Sequence, residues 1–161
     1  MWKIIQQLCE DIRGNLTVYE AVVLMMTALG SLRCHDKSRV IPVGYSMLLI
    51  LYITLLRRTP EYNEEIRYHI SFLPDVKVWT VNLLNVILYV PLGGTIYNMA
   101  ASIKGTAFAA LLSSVLCEII QYFTHRGVAD INDVLFNLIG ACAGALLFRA
   151  FRAFKKKKDL Q

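Results

Sequence analysis

Five uninterrupted apolar blocks constrain this chain more than any other feature. They run from Leu16 to Leu32, Val40 to Leu56, Thr80 to Tyr97, Thr106 to Thr124 and Asp133 to Arg149, each 17–19 residues long. A helix needs about 20 apolar residues to cross a bilayer, with a lower limit near 17. The blocks reach that limit when flanking polar groups snorkel to the interface. Apolar residues make up 56% of the chain and charged residues 18%. Burying five such runs in a soluble α-protein would leave too little polar surface to cover them. The expected fold class is all-α: a polytopic membrane helical bundle of about five transmembrane helices with no soluble domain.

The two ends differ. Residues 1–15 hold Lys3, Glu10, Asp11 and Arg13 without a central apolar run, which argues against a cleavable signal peptide. Ile4, Ile5, Leu8 and Ile12 share one helical face, so 1–15 reads as an interfacial segment before a membrane domain over 16–151. Residues 152–161 form a basic tail with Arg152, Lys155, Lys156, Lys157 and Lys158. Retention of positive charge inside the cell puts that C-terminus in the cytoplasm. Five spans then bring Arg33, Lys37, Arg39 and Lys104 to the same side. The net charge is +5, and the basic tail reads as a stop-transfer and anionic-lipid anchor, with membrane lipids as partners and no nucleic acid. Cys9, Cys34, Cys117 and Cys142 form no CxxC pair, so neither a disulfide framework nor a zinc site is expected.

Polar residues inside the blocks gather at one depth. In the third block Asn82, Asn85, Tyr89 and Gly93 share a face, which must turn inward to give the amides partners. Pro91 lies on the same block and is expected to kink or break its helix. In the fourth, Ala107, Ala110, Ser114, Cys117, Glu118 and Gln121 form a stripe, small at one end and polar at the other. In the fifth, Asp133, Asn137, Gly140 and Gly144 share a face, expected to meet the fourth block through the GxxxG pair. Arg126 and Asp130 lie in the turn between. An uncompensated carboxylate such as Glu118 costs roughly 3 kcal/mol on insertion scales. It must be neutral, paired or open to a hydrated recess. The candidate functional cluster is Asn85, Glu118, Gln121, Arg126, Asp130, Asp133 and Asn137, expected to face outside. The longest loop, Arg57 to Trp79, reads as a lid, a surface helix or plain connection.

Several of these residues fall in one pattern: Asn85-Val86-Ile87-Leu88-Tyr89-Val90-Pro91-Leu92-Gly93, then Glu118-Ile119-Ile120-Gln121, then Arg126, Asp130, Asp133-Val134, Asn137, Gly140 and Gly144. The pattern resembles the VanZ-like family of bacterial membrane proteins. Tyr89 stands where that family often has Phe, and the first two blocks resemble it only in being apolar. The family's namesake is an accessory glycopeptide-resistance protein that lowers susceptibility to teicoplanin. The resemblance implies a bacterial cell-envelope role of that kind.

The residues themselves leave three chemistries open. Arg126 could meet a phosphate or carboxylate of a lipid-linked cell-wall precursor, a lipid headgroup or a glycopeptide, with Asn85, Gln121 and Asn137 as donors. The acids Glu118, Asp130 and Asp133 weigh against an anionic ligand unless one is protonated. Alternatively Glu118 and Asp133 could act as acid and base, or bind a divalent metal with Asp130, in a membrane hydrolase or transferase on a lipid-linked substrate. No P-loop, HExxH or Ser/His/Asp spacing supports other enzymes, and no cofactor beyond that metal is expected. Third, the cluster could hold the bundle together and do nothing else.

Overall fold

The computed structural model describes residues 40–56, 66–67 and 76–158, together with Val22, Val23, Met26 and Gly30, which are helical. The elements are α1 (Val40–Leu51) with a π-helical turn (Tyr52–Leu56), β1 (Ile66–Arg67), α2 (Val76–Ala100), α3 (Ile103–Thr124), β2 (Ala129–Asp130) and α4 (Ile131–Lys158). Among the described residues, three helical stretches are long and apolar enough to cross a membrane: Val78–Ala100, Ile103–Thr124 and Ile131–Lys155. A fourth, Val40–Leu56, is apolar and shorter. The rest of the first expected span, the interfacial segment 1–15, the Arg33–Arg39 turn and most of the Arg57–Trp79 loop lie outside the described residues.

The π turn has a local cause. Thr54 donates its hydroxyl to the Ile50 carbonyl at 2.7 Å, a back-bond that competes with the regular backbone ladder. The expected break at Pro91 does not occur, since α2 runs through it from Val76 to Ala100. Pro91 is buried, and backbone contacts with α4 hold the helix on both sides of it.

Those contacts correct the expected partner of the glycine pair. A Cβ added at Gly140 would overlap the Val86 carbonyl, and one at Gly144 the Val90 carbonyl. Gly93 stands in the same relation to the carbonyl of Ala141. The GxxxG face therefore packs on α2, not on α3. With lipid tails as apolar as leucine, such close approach is how membrane helices gain dispersion energy. Ala141 and Ala145 complete this seam, both fully buried.

α3 docks through its stripe. Thr106, Ala110, Ser114, Cys117, Glu118 and Gln121 are buried, while Phe108, Leu112, Leu116 and Phe123 on the far side are exposed. A small apolar core of Ile50, Leu88, Tyr89, Leu92 and Ile96 fills the middle.

The end of the bundle away from Glu118 is closed by caps. Ala101 takes a left-handed conformation (φ 51°), and Ser102 caps α3 by accepting from the Gly105 amide at 3.1 Å. Arg152 donates to the Asn98 carbonyl at 3.0 Å and to the Asn98 side chain, satisfying the C-terminal end of α2. Its guanidinium also lies over the Phe148 ring, 5.8 Å from the centroid. α4 continues through the expected tail as helix to Lys158.

Candidate functional site

The turn between α3 and α4 is built by its own backbone. His125 is left-handed (φ 53°), its amide donates to the Tyr122 carbonyl, and the Arg126 amide donates to that of Gln121. This is the paired-bond termination that usually uses glycine. Histidine is among the residues that enter the left-handed region more readily than most. Asp130 then caps α4: its Oδ1 accepts from both the backbone amide and the side-chain amide of Asn132, each at 2.9 Å. Asp133 follows in the first turn of α4, where a negative charge meets the positive end of the helix dipole.

All seven candidate residues come to this one end of the bundle. Glu118 is 8% exposed, and its Oε2 accepts the Asp130 amide at 2.9 Å. The Asp133 carboxylate accepts from Asn85 Nδ2 at 2.7 Å, linking α4 to α2. One turn deeper, Asn137 Nδ2 donates to Ser114 Oγ at 2.8 Å, linking α4 to α3. Gln121 Nε2 donates to the Thr54 carbonyl at 3.2 Å, and Arg126 donates to the Leu55 carbonyl at 3.0 Å. Both carbonyls belong to the π turn, Tyr52–Leu56.

A short parallel strand pair crosses the same region, with Ile66 in register with Ala129 and Arg67 with Asp130. The long loop is thereby tied to the backbone whose amide Glu118 holds. Trp79 at the start of α2 packs edge-on against Phe136 of α4, with centroids 6.3 Å apart.

The candidate cluster did not include Asn132, Thr54 or Leu55. Asn132 had a readable signal, as the third residue of the Asp130-Ile131-Asn132 capping run. Leu55 and Thr54 had none, because they act through carbonyls that every residue carries. Among the described residues, no group of three or more His, Cys, Asp or Glu side chains comes together in a way that could hold a metal ion.

A helical bundle whose long helices are apolar enough to cross a bilayer and expose apolar outer faces is that of a membrane protein. Residues 16–152 match the VanZ/LLP1 family model, and the chain belongs to that family. No curated protein and no solved structure matches it.

Proposed function

We propose that the chain is a VanZ-like accessory protein of the bacterial cell envelope that lowers susceptibility to a glycopeptide such as teicoplanin. In this reading it crosses the membrane five times with its C-terminus in the cytoplasm. The Glu118 end faces outside, where it meets a cell-wall precursor, a lipid headgroup or the drug. The observation that carries the proposal is the family match over residues 16–152. The gathering of Asn85, Glu118, Gln121, Arg126, Asp130, Asp133 and Asn137 at one end supports a single working face.

A second reading has its own support. Glu118, Gln121 and Arg126 each bond a backbone group of a neighbouring element, so the cluster also serves as the seal that holds α1, α3 and the α3–α4 turn together. One experiment separates the two. Wild type, Glu118→Gln and Asp133→Asn are expressed in a teicoplanin-susceptible Gram-positive host, and susceptibility is measured beside membrane abundance. The resistance reading expects protection by the wild type and loss of it in both variants at unchanged abundance. No protection by the wild type sinks it. Loss that follows abundance assigns the cluster to the seal.

A further inference from the structure

A second polar group lies deeper in the bundle and is not accounted for by the seal. The Tyr89 hydroxyl is fully buried in α2. Ser113, Ser114 and Cys117 of α3 surround it, yet none meets it at hydrogen-bonding geometry. Ser113 donates its hydroxyl to the Ala110 carbonyl at 2.9 Å, Ser114 Oγ accepts from Asn137, and a thiol is a weak partner. Asn137 uses its Nδ2 on Ser114 and leaves a buried Oδ1 without a donor. Asn137 is 5% exposed. A buried donor and a buried acceptor thus flank one serine, and each costs free energy if it stays unmet.

We propose that the bundle holds a guest site between Tyr89, Ser114 and Asn137 for a neutral group that both donates and accepts a hydrogen bond. That chemistry is a water molecule or a hydroxyl of a bound lipid or sugar. The Tyr89 hydroxyl donates to the guest oxygen, and the guest donates to Asn137 Oδ1. An anion does not fit, because it would face the lone pairs of that carbonyl. The site lies inward of the Asp133 carboxylate by about one helical turn, roughly 6 Å along α4. It stands independently of the glycopeptide reading.

The test is the sign of one substitution. Tyr89→Phe removes the hydroxyl and keeps the ring. If the site is filled, the melting temperature of the purified protein in detergent falls by about 2–4 °C, the shift that one lost net hydrogen bond gives at this size. If the site is empty, the change removes an unmet donor and the melting temperature holds or rises, which overturns the proposal. The measurement is repeated in Ser113→Ala, Ser114→Ala and Cys117→Ala backgrounds, one at a time. The loss persists in all three if the hydroxyl bonds a guest; its disappearance in any one means a direct bond to that residue and also overturns the proposal. A loss seen in delipidated protein identifies water, and one seen only with membrane lipid retained identifies a ligand hydroxyl. Should Tyr89→Phe not accumulate, the Cys117 thiol beside the site reports instead. In a protein with Cys9, Cys34 and Cys142 changed to Ser, transferred into D2O, its S–H infrared band shifts to S–D within minutes if water reaches the site. A band unchanged after a day, both before and after delipidation, counts against any guest.

Discussion

α4 meets its two neighbours in different ways. Against the middle of α2 it lies backbone to backbone, with Gly140 and Gly144 under the Val86 and Val90 carbonyls and Gly93 returning the contact at Ala141. Polar bonds, Asn85 to Asp133 and Arg152 to Asn98, join the same two helices at either end. Against α3 it is joined by polar links, Asn137 to Ser114 and, by way of the turn, the Asp130 backbone amide to the Glu118 side chain. At the three glycines the first contact is steric and tolerates no added atom. The second depends on donors and acceptors being kept. One helix therefore carries a rigid seam at its middle on one side and a chemically tuned joint on the other.

That contrast can be broken most severely at the seam. Gly144→Val puts branched carbon where the Val90 carbonyl stands, and should cost about 3 kcal/mol, the upper end of overpacking penalties. The expected readout is loss of the monodisperse species in detergent; a variant that purifies and melts like wild type would show that the helices are not packed as described.

The polar joint should respond to chemistry and not to size. Glu118→Ala deletes the acceptor of the partly buried Asp130 amide and should cost about 1–3 kcal/mol. Glu118→Gln keeps a carbonyl acceptor for the Asp130 amide and should lose less than half as much. Thermal unfolding of the pair checks this, and equal losses would show that the charge matters more than the bond.

The smallest effect has the opposite sign. At Gly105 an added Cβ would meet only the Ser102 side chain, at 3.4 Å, an ordinary contact. Gly105→Ala should raise stability by about 0.5–1 kcal/mol through lower backbone entropy in the unfolded chain. A loss there would indicate that the Ser102 cap is more crowded than its geometry indicates.

The helices and their common polar end are legible because periodicity carries them. Asn82 and Asn85 begin one block, Glu118 and Gln121 end the next, and Asp133 and Asn137 begin the last, so alternation alone brings them together. The partner of Gly140 and Gly144 is not legible in the same way. A small-residue pair says that something comes close and not which helix does. The complementary groove of Val86, Val90 and Gly94 on α2 becomes visible only when the two faces are seen together. The targets of Gln121 and Arg126 are hidden for another reason, since they are backbone carbonyls, which every residue carries. The Ile66–Arg67 pairing is two residues long and leaves no pattern to read.

The strand pair also has a consequence for biogenesis. Ile66 and Arg67 leave the ribosome before α2, but their partners Ala129 and Asp130 follow α3. The clasp at the Glu118 end therefore closes only after the start of α4 has been synthesised. A nascent chain halted short of Asp130 carries the Glu118 carboxylate in an apolar helix without the amide that receives it in the finished protein. Incompleteness is thus written into such a chain as a carboxylate that lacks the amide it holds in the finished protein.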